Sequence, residues 1–245
     1  MEISEGNEKI YSENLNSTYY QFSMDRLKKT RELVGAVKGK MLDVGCGDGL
    51  FTALFKRKDR EIFGLDIVEK NVLLAQEKGI KAKKCDLNCE KFPFGDKLFD
   101  LVLCSEVIEH IYDTEKFTRE LNRVLKDEGK LVISVPNIAC WYNRGVLVMG
   151  QLPYYIESGS TIAFGSPLGE DVTGHVKAFT KKSLIELLEF SGFKIDKVTG
   201  SKINLTPHCT KKRHFAGNGI FKVLEGLFCT VPSLASNIII KASKK

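Results

Sequence analysis

Short apolar runs alternate with longer amphipathic segments along most of this 245-residue chain. The strand-like runs are 41–44, 61–66, 81–86, 99–104 and 130–135, and helices are predicted near 50–57, 69–78 and 114–126. Connections of that length carry the chain back over a sheet to a parallel neighbour. The predicted class is therefore α/β, with helices on both faces of the sheet. Leu101-Val102-Leu103-Cys104 is apolar without alternation, as a strand covered on both sides requires. Hydrophobic residues at 43% and charged residues at 28% exclude a disordered chain, a collagen and a small disulfide scaffold.

The flanks complete the plan. Residues 1–18 are polar and predicted mobile. Phe22, Leu27, Leu33, Val34 and Val37 then recur at helical spacing. The alternation breaks at Pro136. Residues 137–175 are rich in Gly, Pro and aromatics, and a connection this long is usually functional or has structure of its own. We read it as an insertion forming a lid or substrate wall. A helix opens at Thr180-Lys181-Lys182-Ser183, carries Leu184, Leu187 and Leu188, and stops at Gly192. A strand follows at 193–199, a loop at 200–215, a helix at 219–229 and a closing strand at 236–242. The reading is one domain over 1–245.

Charge and cysteines narrow the setting. The 37 Lys and Arg against 31 Asp and Glu leave +6, which favours an anionic ligand without indicating nucleic acid. The basic clusters 56–60, 81–84, 211–213 and 241–245 read as solvated faces or tails. Seven cysteines, an odd number with no C-x-x-C pair, suit reduced thiols in a cytoplasmic protein. The first nine residues carry acids and no apolar core, unlike a secretory leader. The apolar runs fall far short of the ~20 residues of a membrane span.

One segment points to chemistry. Leu42-Asp43-Val44-Gly45-Cys46-Gly47-Asp48-Gly49 ends the first strand and opens the next element. Glycines serve where backbone turns tightly against a ligand, and amides at a helix start favour a carboxylate or phosphate. The spacing is G-x-G-x-G, not the G-x-G-x-x-G of dinucleotide sites. Asp66 closes the second strand, where a carboxylate can accept from both hydroxyls of a ribose. These residues resemble the cofactor motif of class I S-adenosylmethionine (SAM)-dependent methyltransferases. The resemblance runs over roughly 20–242. It includes Cys85-Asp86-Leu87, Phe99–His110 with its Ser105-Glu106 step, and the 129–136 strand. Methyltransferases of type 11/23, the MetW-like group and ubiquinone-biosynthesis O-methyltransferases are the similar groups.

The resemblance implies a Rossmann-like seven-stranded mixed sheet: six parallel strands, an antiparallel last strand forming a hairpin-like edge, and the insertion after strand five. It implies SAM as cofactor, held by Asp43, Gly45, Cys46, Gly47, Gly49, Asp66, Ile67, Asp86, Leu87, Cys104 and Ser105. Tyr20, with Tyr19 and Arg26 nearby, lies where related enzymes cover the cofactor with a helix. Asp43 also reads as a cap on the loop, Asp86 as a turn residue, and Cys46 and Cys104 as packing residues.

Methyl transfer to a hydroxyl needs a base, and His175, Glu106 and His110 are the catalytic candidates. Glu106, Glu109 and His110 are spaced i, i+3, i+4 and share a face if that segment is helical. With His175 they resemble the metal site of small-RNA 3′-terminal 2′-O-methyltransferases. The same wording occurs in this superfamily without metal, and we assign none. His175 also reads as an ordinary loop residue. Trp141, Tyr142, Arg144, Tyr154, Tyr155 and Phe164 suit a sugar, a planar ring or a phosphate, and equally a small subcore. The expected activity is methyl transfer to oxygen of a small-molecule or glycan acceptor. The alternatives are N-methylation, metal-assisted RNA 2′-O-methylation and a non-catalytic SAM-binding subunit. A nicotinamide oxidoreductase is disfavoured by the glycine spacing.

Overall fold

The computed structural model describes residues 18–159, 162, 164–166, 173–202 and 219–245. The seven strands are β1 (Gly39–Val44), β2 (Arg60–Asp66), β3 (Lys81–Lys84), β4 (Phe99–Ser105), β5 (Leu125–Pro136), β6 (Phe193–Ser201) and β7 (Asn237–Lys244). They form one sheet in the order β3-β2-β1-β4-β5-β7-β6. Neighbours from β3 through β5 pair parallel, and β7 runs antiparallel to both β5 and β6. Six strands thus share a direction and the last opposes them, as the resemblance implies. The sheet edge differs from the expectation. β7 sits inside, its apolar Ile238, Ile239 and Ile240 fully buried, and the more polar β6 takes the edge.

Alternate residues feed two cores. Leu42, Val44, Val102 and Cys104 face α3 (Thr114–Val124) and α5 (Lys181–Phe190), which contribute Phe117, Leu121, Leu184 and Leu188. Met41, Leu101 and Leu103 face α1 (Thr18–Val34) and α2 (Glu69–Glu77), through Leu33, Val34, Val72 and Ala75. This is the period-two alternation of a strand buried on both faces. Both helices of the first group have side-chain caps. Asp113 accepts from Lys116 N, and Thr180 and Ser183 form the reciprocal capping pair.

Several boundaries move. The helix expected at 50–57 is one 3₁₀ turn, Thr52–Phe55, because no side chain caps its start and the Thr52 hydroxyl is used elsewhere. β3 ends at Lys84; as an edge strand it buries only Ala82 and turns lysines outward, which blocks further pairing. β5 starts at Leu125, five residues early, across an irregularity opposite Phe99–Leu101. The insertion contains α4 (Trp141–Val148), and α6 (Gly219–Phe228) lies where expected. Most of the predicted loop 200–215, Cys209, the 211–213 cluster and residues 1–17 lie outside the described residues. Among the described residues, no helix is long and apolar enough to cross a membrane.

The strand order reverses between β1 and β4. The chain steps outward through β2 and β3, then returns to the other side of β1. The loops leaving the carboxyl ends of β1 and β4 therefore diverge and leave a crevice. The β1 loop turns back on Gly45, Gly47 and Gly49, at φ +77°, +54° and +79°. A Cβ on Gly49 would lie 2.6 Å from Ile80 Cδ1 and 2.9 Å from Ala75 Cα, whereas one on Gly47 would meet nothing within 4 Å. Gly47→Ala is expected to cost about 1–2 kcal/mol, the left-handed backbone penalty alone. Gly49→Ala should cost clearly more, because a backbone must also move. Urea denaturation of the two variants gives the ranking.

Candidate functional site

The glycine turn is tied to the end of β2 rather than standing free. Gly45 N and Cys46 N both donate to Leu65 O at 2.8 and 2.9 Å. Gly47 N donates to Asp66 Oδ2 at 2.9 Å. The other oxygen, Oδ1, accepts from Val68 N at 2.9 Å and Asn71 Nδ2 at 3.3 Å. Asp66 thus joins the glycine turn to the start of α2. Beside it Ile67, just after β2, is an apolar side chain left 54% exposed.

Asp43 lies beneath the turn and is buried. Thr52 Oγ1 donates to its Oδ2 at 2.6 Å. Burial pushes the Asp43 carboxyl up to about 7; the Thr52 bond opposes this and the Asp66 charge adds to it. A cavity of about 240 Å³ opens above, lined by Arg26, Asp43, Gly45, Gly47, Leu103 and Ser105 among others. Cys46 also lines it, with its sulfur wedged against Gly64, where a Cβ would come within 2.6 Å. Burial pushes the Cys46 thiol far up, so it packs as an inert thiol.

Other candidates fall elsewhere. Cys104 points into the α3–α5 core, and its neighbours Leu103 and Ser105 face the cavity. The strand alternation dictates this, since adjacent residues cannot share a face. Asp86 closes its own turn, accepting from Asn88 N at 3.0 Å, and Leu87 packs against the core. The Tyr19 and Tyr20 side chains lie outside the described residues.

The segment after β4 is not an α-helix, so its acids do not share a face. Glu106 has φ +57°, and only Ile108–His110 makes a 3₁₀ turn. Glu106 turns toward α1: its Oε2 pairs with Arg26 at 2.7 Å and its Oε1 accepts from Ser134 Oγ at 2.9 Å. Ser134 Oγ lies 2.8 Å from Ser105 Oγ. Ser134 and Leu103 escaped the sequence reading; the β4–β5 register sets Ser134 opposite Ser105.

Glu109, His110 and His175 do converge. One ligand atom from each lies within 4.8 Å of the others. The imidazole centroids of His110 and His175 are 4.8 Å apart. His110 Nδ1 meets Gly174 O at 3.0 Å, and His175 Nδ1 meets Tyr155 O at 3.3 Å. Burial, with help from the His110 charge, lowers the His175 imidazole and keeps it neutral near pH 7. Glu109 is 2% exposed, and neither carboxylate oxygen finds a hydrogen-bond partner among the described residues. Burial, then the Glu106 charge, push its carboxyl well above the usual range. The turn lies against the glycine loop, since a Cβ on Gly45 would sit 2.3 Å from Val107 Cγ2.

Comparison with known proteins agrees with this geometry. Residues 42–133 match the family described as "Methyltransferase domain". The mitochondrial ubiquinone biosynthesis O-methyltransferase of Homo sapiens is 30% identical over 210 residues, 78% of this chain and 52% of that protein. The ubiquinone biosynthesis O-methyltransferase of Rickettsia prowazekii is 30% identical over 127 residues, 50% of this chain and 49% of that one. The chain spans about half the length of the curated relatives it matches. A SAM-dependent methyltransferase from Thermotoga maritima shares the fold at TM-score 0.62 and 17% identity, covering 98% of this chain and 99% of that one. The matched segment takes in the glycine turn and Asp66: residues 42–133 are a methyltransferase domain, and the chain is similar over most of its length to the human O-methyltransferase and the SAM-dependent methyltransferase named above.

Proposed function

We propose that this chain transfers the methyl group of SAM to a hydroxyl oxygen of a small-molecule or glycan acceptor. The observation that carries this reading is the gathering, beside the glycine turn, of two imidazoles and a buried carboxylate with no partner among the described residues. A hydroxyl must lose its proton to accept a methyl, and such a cluster is suited to take it. The curated relatives are named as O-methyltransferases, which supports oxygen over nitrogen.

The cofactor fits the crevice. Gly47 leaves open space where any side chain would intrude, and the cavity is lined by Asp43 and Asp48 with Arg26, which is paired with Glu106. SAM bound there supplies an electrophilic methyl on a positively charged sulfur. In this reading the amides of Gly45, Cys46, Gly47 and Gly49 line the cofactor, and Asp66 uses its remaining lone pairs for the ribose hydroxyls. Ile67 covers one face of the adenine, and Asp86 and Leu87 border its far edge. Ser105 lines the methionine end, and Arg26 meets the carboxylate there. Glu106, paired with Arg26, orients that end instead of acting as the base. His175 and His110 take the proton. The insertion 137–175 leaves and returns at one point, with Ile138 N bonded to Phe179 O at 3.0 Å, so it can act as a lid.

A metal-assisted version is favoured by one observation, the Glu109 oxygens that find no partner among the described residues. A divalent cation held by Glu109, His110 and His175 would lower the pKa of an acceptor hydroxyl. Purified chain incubated with methyl-labelled SAM and panels of phenolic, sugar and amine acceptors should label hydroxyl compounds as alkali-stable ethers. Labelling confined to amines, or none on any acceptor, would refute the proposal. Elemental analysis of the same preparation for bound zinc, manganese or magnesium, with and without EDTA, separates the metal-free and metal-assisted versions.

Two further outcomes are expected. Asp66→Ala should weaken SAM binding by about 1–3 kcal/mol in calorimetry, because it strands polar groups; unchanged affinity would remove Asp66 from the cofactor site. Asp43 keeps its proton to about pH 7 when folded, but only to about pH 4 when unfolded. The folded state therefore binds the extra proton, and this group's stabilisation is lost as pH rises from about 4 to 7. Relative to Asp43→Asn, the cofactor-free wild type should lose about 2–4 kcal/mol between pH 5 and pH 8 in urea denaturation. Parallel curves for the two proteins would contradict this.

A further inference from the structure

Both histidines of the cluster are held from behind by backbone carbonyls from two pieces of the insertion. His110 Nδ1 faces Gly174 O, and His175 Nδ1 faces Tyr155 O. A carbonyl only accepts, so each Nδ1 must carry a proton, and in the neutral ring the lone pair then lies on Nε2. Neither carbonyl is placed by regular secondary structure. Tyr155 has φ +68° and Gly174 φ +75°, so both sit in left-handed backbone, and for Tyr155 that conformation is strained. Something must hold them.

Glu157 spans the two pieces. Two residues beyond Tyr155, its Oε1 accepts from the Thr173 amide, from Thr173 Oγ1 at 2.5 Å and from Gly174 N at 3.0 Å. Its Oε2 lies 3.1 Å from the same Gly174 amide. Against the push of burial, these bonds hold the Glu157 carboxyl below its ordinary range, so it stays ionised and accepts strongly. The Tyr155 ring also packs 5.7 Å from the His175 ring.

We propose that Glu157 is a positioning residue: by clamping Thr173 and Gly174 to the Tyr155 turn, it fixes both His110 and His175 in the Nδ1-protonated tautomer with Nε2 free to act. The clamp stands on this geometry alone; its effect on methyl transfer rests on the function proposed above. Groups that set the tautomer and ring angle of a working histidine commonly matter 10–100-fold.

Long-range proton–nitrogen NMR of the full-length, nitrogen-15-labelled protein reads the tautomers directly. At alkaline pH, where the rings are neutral, the wild type should show protonated Nδ1 and unprotonated Nε2 at both residues. Glu157→Ala should move His110 toward mixed tautomers and lower kcat about 10–100-fold, with SAM affinity unchanged. Glu157→Gln keeps one acceptor oxygen and should fall between. A wild-type His110 protonated at Nε2, or a folded Glu157→Ala protein with unaltered tautomers, would overturn the clamp. If Glu157→Ala does not fold, the wild-type pattern and Glu157→Gln decide the matter. A shifted tautomer with full methyl transfer would uphold the clamp and count against the histidines' part in the proposed reaction.

Discussion

The reversal of strand order between β1 and β4 is the constraint on which the site depends. Parallel strands release their loops at the same edge, and only where the order switches do neighbouring loops part and leave room. The glycine turn and the Glu106–His110 segment are the two loops at that point. Val107 resting on Gly45 makes them one unit. A side chain at Gly45 would push on Val107 and so disturb the Glu106–His110 segment as well as the glycine turn.

Charge in the crevice follows from burial. Asp43 and Glu109 sit where ionised carboxylates are poorly solvated, and both are pushed toward their protonated forms. Asp43 receives one hydrogen bond, from Thr52, and Glu109 receives none among the described residues. Such groups cost stability in the free protein. Arg26 tempers this, pairing with Glu106 from α1 and linking that helix to the crevice floor.

The residues that could be read in advance are those whose role follows from local sequence. Periodicity located six of the seven strands to within a few residues, and the glycine spacing with Asp66 marked the crevice. The early start of β5 could not be read, because Leu125 pairs across an irregularity that leaves no periodic trace. Leu103 and Cys104 were exchanged for a similar reason. An uninterrupted apolar run does not disclose its own phase, and which residue looks into the cavity is set by neighbours on both faces. The shared helical face expected of Glu106, Glu109 and His110 did not form because Glu106 takes a positive φ, and spacing assumes a continuous helix.

Local sequence was enough for the class of fold, the start of α5 and the glycine turn, because each rests on periodicity or backbone conformation within a few residues, whereas the reversed last strand was implied by the family resemblance. The meeting of Glu109, His110 and His175, the bonding of Gly174 and Tyr155 behind them, and the interior place of β7 were settled by folding. Those contacts join residues as many as sixty or more positions apart, and burial, which raises one carboxyl and lowers one imidazole, exists only once the chain has closed around them.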